Sequence, residues 1–469
     1  MAGTRELTTR PGRQPLRSLA ALVILASVTA FVSASFWPGH VNLNGFGAYL
    51  YATNGGPLED WDSAIWFTIW HGLALLGLGS PGWLLAGLVM MQLVGLYLLL
   101  RVRLPRPWAV MGAAAVLVFP PVLTFSIVIG TGTWFVAPIL TGFGFACRAA
   151  RVTGLDRIAS VGIVVVCAFL AEAARPISAP AVLLLLCAAA FVVLGPALEG
   201  KRRALAAGAA GAVACAVILG SVNELTYRVL HATPTHPELA TYEYDLIALS
   251  LSEDRVLLPP DIYPRQDVAY LARFGSHRWG FLDETALLWG PEAALPPRVG
   301  GAQLQELRQA WVTAIRDHPD IYVRSRMHSA AWQLGIAGPS FGVWYTTPPP
   351  EWFGPPPFPD VTRWAQAFTQ FGTGTRDPAG GPLQAVWVYV ALLVVGAAAG
   401  IRSWRPTDVV VALFALAMLL FAAEVLVVSP GVTYRFMHPP VVAGTVFAIL
   451  LAVDAASWAR PRIVRLARS

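Results

Sequence analysis

Long apolar runs separated by short basic turns set the pattern of this chain. The runs at 18–36, 81–100, 108–129, 177–198, 383–401, 408–428 and 439–458 approach or reach the length a helix needs to cross a hydrocarbon layer, roughly 20 residues. Three further segments, at 131–147, 158–174 and 203–222, complete ten predicted spans. Two stretches are ambiguous and would raise the count to twelve. Residues 61–78 are apolar and rich in Trp, and are read as a helix lying on or dipping into the membrane surface. Residues 327–345 are more polar and broken by Gly. The pattern therefore predicts an all-α polytopic membrane protein of about ten transmembrane helices, with an interfacial helix in its first external loop.

Between the spans the pattern changes once, over residues 223–382. Helical spacing recurs there at 301–326, where Leu304, Leu307, Trp311 and Ile315 fall on one face. The proline-rich run "TTPPPEWFGPPPFPD" around 346–359 excludes helix and central strand. Three regions follow: a transmembrane bundle over 1–222 with an external loop at 37–80, a mixed external insert over 223–382, and C-terminal helices with a basic tail over 383–469. No internal repeat is evident.

Charge orients this arrangement. Of 469 residues 56% are hydrophobic and 13% charged, and mean hydropathy is +0.59. A soluble domain carries about 25% charged residues. Six basic clusters between the spans hold 19 of the 33 basic residues: Arg5 to Arg17, Arg101 to Arg106, Arg148 to Arg157, Lys201 to Arg203, Arg402 with Arg405, and Arg460 to Arg468. Basic residues mark the cytoplasmic side, so both termini are expected inside. The stretch 223–381 holds 17 acids against 12 arginines, a net charge of −5, and is expected outside. The pI near 9.3 reflects these anchors and implies no nucleic-acid partner. The four cysteines lie in or beside apolar spans, leaving no disulfide or Cys-x-x-Cys site for the insert. The N-terminal basic and apolar stretch is read as an uncleaved first helix. One lysine amid abundant Arg, Ala and Gly is a bacterial, high-GC habit of composition.

With the anchors set aside, Arg175 and Arg435 are the basic residues left outside the insert, each at the outer end of a span. Glu172 lies one helical turn before Arg175. Arg435 sits in "VSPGVTYRFMHPP", read as a short outer turn with Tyr434 and His438. Glu59, Asp60 and Asp62 fall at the same level, and Glu424 inside its span. Ionisable groups at a membrane edge are costly and mark a functional site by default. Arginine forks pair with phosphate oxygens, a carboxylate can take a proton from an acceptor hydroxyl, and carboxylates can hold Mg²⁺ or Mn²⁺. Asp60 and Asp62 are thus candidate catalytic or metal-binding acids. Arg175, Arg435, Glu59 and His438 are candidates for binding the substrate or its phosphate. For each alone a structural role is equally open, Glu172 pairing with Arg175 and Arg435 capping a helix. "GTGTW" at 130–134 lacks the context of a phosphate-binding loop. His71, His231, His236 and His318 show no paired metal spacing.

Four segments carry a resemblance. "FWPGHVNLNGFGAYLYATNGGPLEDWDSAIW", "EYDLIALSLSEDRVLLPPDIYP", "WVTAIRDHPDIYVRSRMHSAAWQLGI" and "YRFMHP" resemble, in order along the chain, elements of bacterial polytopic membrane proteins related to the C-type glycosyltransferases. The resemblance implies a bundle of many helices beside an external region. It implies transfer of a sugar from a polyprenyl-phosphate donor at the outer leaflet, by inversion, with a loop aspartate as base. Asp60 matches the second loop acid, Arg175 an arginine at an outer helix end, and Arg435 the late arginine. Asn44 stands where the first loop acid is expected, and Asp62 where relatives often carry His. The Lys-Asp pair expected after "FPP" is absent, as is an asparagine after Arg175. Two functions follow. One is a cell-envelope glycosyltransferase that engages membrane lipid, a lipid-linked sugar and a glycan acceptor. The other is a non-catalytic relative that binds lipid or supports a partner membrane protein. A transporter is disfavoured by the lack of matching broken helices in two halves.

Overall fold

A computed structural model of the chain describes residues 14–41, 43–174, 178–195, 197–264, 267–275, 299–337, 359–373, 383, 385–401, 404–429, 431–432 and 434–466. Helix α1 (Gln14–Ser35) leads to a two-residue strand, β1 (His40–Val41), and the first loop then folds into α2 (Leu43–Asn54) and α3 (Ala64–Leu75). Next come α4 (Pro81–Leu100), α5 (Arg106–Val118), α6 (Pro120–Ser126), strand β2 (Val128–Ile129), α7 (Thr131–Ala149), α8 (Gly154–Ala174), α9 (Ala179–Val193) and α10 (Gly200–Asn223). The insert contributes α11 (Leu239–Glu253), α12 (Val268–Gly275), α13 (Gly301–Asp317), α14 (Pro319–Gln333) and α15 (Pro359–Thr373). Helices α16 (Val386–Ile401), α17 (Pro406–Val428) and α18 (Tyr434–Leu466) complete the chain.

Among the described residues five helices are long and apolar enough to cross a membrane: Pro81–Leu100, Gly154–Ala174, Gly200–Val229, Pro406–Val428 and Tyr434–Ala459. The segments Leu19–Ser35, Ala179–Val193 and Val386–Gly400 are apolar but shorter. The protein is a polytopic, mostly helical membrane protein. The expected span at 108–129 is not one straight helix. It bends by 73° between α5 and α6, because Pro120 and Pro121 follow Phe119, and a residue before proline is pushed out of the helical region. Phe119 is accordingly extended, at φ −61° and ψ 123°. Helix α18 meets this break: the Tyr434 hydroxyl donates to the Pro121 carbonyl at 3.0 Å, and His438 Nε2 lies 3.0 Å from the Val122 carbonyl.

Close packing holds the bundle. A Cβ on Gly95 of α4 would lie 2.4 Å from the Leu140 carbonyl carbon of α7, so only glycine permits this backbone crossing. Phe135 stacks on Phe421 at 4.7 Å and Phe143 meets Phe414 at 5.1 Å, joining α7 to α17. At the basic end Arg103 bridges Asp408 (2.7 Å) and Asp454 (2.9 Å), tying the α4–α5 turn to α17 and α18.

The stretch 61–78 forms α3, whose 12 residues span only about 18 Å at 1.5 Å per residue, too short to cross. Its Trp66 stacks on Trp134 at 5.7 Å and donates to the Leu170 carbonyl at 3.0 Å, so α3 is seated on α7 and α8. In the insert the predicted helix at 301–326 is two helices, α13 and α14, divided where Pro319 opens the second. Leu239, Leu246, Ile247, Leu249, Leu304 and Leu307 form a separate buried cluster there. The two-stranded parallel pair, His40 with Val128 and Val41 with Ile129, is a small departure from an all-α fold. Most of the proline-rich loop at 346–359 lies outside the described residues.

Candidate functional site

The acid segment is held by the chain that follows α10. Thr233 donates its amide to the Leu58 carbonyl at 2.8 Å, and its carbonyl accepts from the Asp60 amide at 3.2 Å. The Asp60 side chain completes this seam. Its Oδ2 accepts from the Tyr227 hydroxyl at 2.7 Å, and its Oδ1 accepts from both the amide and the hydroxyl of Thr235 at 2.6 Å. Tyr227 lies on a π-helical turn, Glu224–Val229, that extends α10. Leu58, Ala64 and Ala232 are buried beneath, packed with Tyr51, Phe67 and Leu230. Ser63 then starts α3 by accepting from the Trp66 amide at 3.2 Å. Glu59 and Asp62 are half-buried on either side of Asp60.

A carboxylate offers about four lone-pair positions, and three on Asp60 are taken. Among the described residues one position on Oδ2 is left unused. Among the described residues no three His, Cys, Asp or Glu side chains gather as a metal site.

The remaining expected site residues occupy the same end of the bundle or lie outside the description. Arg175 is outside the described residues. Glu172, 4% exposed, accepts from Ser178 Oγ at 3.0 Å. Glu424 is half-buried, and its Oε2 has no hydrogen-bond partner among the described residues. Tyr434, Arg435 and His438 were expected in a short turn, but they form the first turns of α18. Arg435 is half-buried with its guanidinium 4.8 Å from the Phe436 ring. Its carbonyl lies 4.0 Å from where a Cβ on Gly132 would be, so it adjoins the start of α7. Helix α7 opens after Gly130 without a side-chain cap hydrogen bond, and the N-terminus of a helix favours anions. His438 is 1% exposed and turned to the Val122 carbonyl, which gives it a packing role at the helix break.

Sequence reasoning missed one buried polar centre. Asp245 and Arg326 form an ion pair at 2.7 Å, with the Trp311 indole donating to the same Asp245 oxygen at 2.9 Å. Arg326 also donates to the Ser429 carbonyl at 2.7 Å, and its guanidinium lies 5.4 Å from the Tyr244 ring. Burial pushes the Asp245 carboxyl above its ordinary range, and the Arg326 charge and hydrogen bond oppose it. Thr241 adds a hydrogen bond to the Val428 carbonyl at 2.9 Å. The insert is thereby fastened to the end of α17. Both partners lie in segments that carry the resemblance, "EYDLIA" and "IYVRSR", but nothing in one sequence pairs residues 81 positions apart.

No family model matches the chain, and no curated protein matches it in sequence. Among solved structures, the archaeal oligosaccharyltransferase AglB from Archaeoglobus fulgidus, in complex with an inhibitory peptide and a dolichol-phosphate, aligns at a TM-score of 0.39 and 13% identity. That alignment covers 96% of this chain and 51% of the other, so the chain spans about half the length of that structure.

Proposed function

We propose that this protein transfers a sugar from a polyprenyl-phosphate donor to a cell-envelope glycan or lipid at the outer face of the cytoplasmic membrane. Asp60 is the base in this reading. The observation that carries it is the fixing of Asp60 by Tyr227 and Thr235 at the insert end of the bundle, with one lone-pair position left on Oδ2. A general base must be held within hydrogen-bond reach of the proton it takes. Asp60 accepts the acceptor's hydroxyl proton, and that oxygen attacks the anomeric carbon. The bond from that carbon to the donor phosphate oxygen breaks, and polyprenyl phosphate leaves. Arg435, beside the start of α7, and Arg175 bind the phosphate as its charge develops. Glu59 and Asp62 flank the acceptor. No step runs through a metal ion. In this reading both termini are cytoplasmic and 223–382 lies outside.

The same seam favours a second reading, in which Asp60 only sews the first loop to the insert and the protein serves a partner membrane enzyme as a lipid-binding relative. Replacement separates the two. Asp60→Asn keeps one acceptor oxygen and the shape of the side chain but removes the base. In cells lacking the native copy, catalysis predicts that Asp60→Asn, expressed and folded at normal level, fails to restore the surface glycan. Full restoration by Asp60→Asn alongside failure of a misfolded Asp60→Ala would favour the second reading.

A further inference from the structure

Helix α11 carries two buried acids with opposite surroundings. Asp245 has the Arg326 guanidinium. Glu243, two residues earlier and 1% exposed, has no cation among the described residues. Its Oε1 is bonded by the Tyr263 hydroxyl, and its Oε2 is buried without a hydrogen-bond partner among the described residues.

The elements around it supply no counter-charge among the described residues. From α12 the titratable group described is Tyr270. On α13, Glu306 and Arg308 are exposed, and Arg316 leans on Asp317. From α14, Arg326 is committed to Asp245, Arg324 pairs with Asp320, and Tyr322 lies beside Arg326. In the turn after α11, Asp254, Arg255 and Asp261 are exposed, leaving Tyr263 as the contact. On α11 itself Glu253 pairs with His318 at 3.1 Å. A lone carboxylate there would be buried with one hydroxyl for support, which is costly. The neutral acid can exchange a hydrogen bond with Tyr263 at little cost.

We infer that Glu243 is a protonation switch whose ionisation loosens α11 and, through the Thr241 and Arg326 contacts, the insert end of α17. The path is contiguous: Glu243 and Asp245 share one helix, Thr241 bonds the Val428 carbonyl, and Arg326 joins Asp245 to the Ser429 carbonyl. Glu424 lies one helical turn inside that end.

The sign follows from burial, which pushes the Glu243 carboxyl up to about 8, opposed by Tyr263. The folded protein holds a proton that an unfolded chain, with a carboxyl near 4.5, releases. Stability from this group is full below pH 4.5, falls as pH rises, and is gone once pH passes about 8.

Hydrogen exchange of the full chain in lipid nanodiscs, corrected for intrinsic rates, tests this between pH 5.5 and pH 9. Peptides covering 239–253 and 424–429 should lose protection together in the wild type. Glu243→Gln, close in shape and never charged, should hold both at their acid-state protection. Tyr263→Phe removes the donor to the charged form and should move the midpoint to higher pH. Equal protection at both pH values in the wild type overturns the inference, as does a pH response in Glu243→Gln that matches wild type. Loss confined to 239–253, with 424–429 unchanged, overturns the coupling to α17.

Discussion

Asp60 is better understood as a fixed group than as a loose loop acid. Its three hydrogen bonds come from residues 167 and 175 positions away, so no local pattern could have announced them. What the sequence did carry was the concentration of acids in "LEDWD" of a chain otherwise poor in charge. Tyr227→Phe should lower stability by about 1 kcal/mol, the worth of one hydrogen bond, measured as a small drop in thermal midpoint. It should leave the seam made by Thr235 in place. Arg326→Ala is a harsher change, because it strands Asp245 in the insert without its cation. Breaking a buried pair by removing one partner costs about 3–5 kcal/mol. Arg326→Ala combined with Asp245→Asn should recover part of that loss, and calorimetry in detergent reads both.

At the scale of elements, apolar length located helices well and their breaks poorly. The pattern at 108–129 reads as one span, but Pro120 and Pro121 fold it back, and Tyr434 and His438 of a distant helix bond to carbonyls at the bend. His438 therefore looked like a candidate ligand when its nearest need is a carbonyl of α6. His438→Ala should destabilise the bundle by about 1–3 kcal/mol, the penalty for a buried polar group left unpaired, while His438→Gln recovers part of it by keeping a donor. The same lesson applies to the crossing of α4 and α7, where the sequence offers only scattered glycines. Gly95→Val would press a side chain into the Leu140 backbone. Overpacking costs typically about 1–3 kcal/mol, and here the obstacle is main chain, so folded yield from membranes should fall sharply.

For the whole molecule, exposed tryptophans and arginines agree on two levels. Trp83 and Trp387 open α4 and α16 at the end where Asp60 and the insert lie, and Trp108, Trp404 and Trp458 ring the opposite end. Interfacial belts of this kind flank a hydrocarbon layer. Helix α4, with 20 residues, is about 30 Å long and matches that layer. Arg103, Arg148 and Arg151 sit with the second belt, each bonded locally: to Asp408, to Asp156, and to the Arg101 carbonyl. The basic clusters were legible from charge alone, but their acid partners were not, since Asp408 opens the apolar helix α17 and Asp454 lies within α18. If the charge rule sets the orientation, a cysteine placed at exposed Arg316 should react with an impermeant thiol reagent in intact cells, and one placed at exposed Arg202 should not. Labelling in the reverse pattern would turn the protein over and move Asp60 to the cytoplasmic side.

The central claim is that Asp60 is a base for sugar transfer from a lipid phosphate. The most direct measurement is release of polyprenyl phosphate from a polyprenyl-phosphate sugar by the purified chain, supplied with an envelope glycan extract as acceptor. The account predicts release by wild type and a loss of about 10²–10⁴-fold in Asp60→Asn, the usual worth of a general base, with binding of the donor retained. Release at the wild-type rate by a folded Asp60→Asn protein would contradict it.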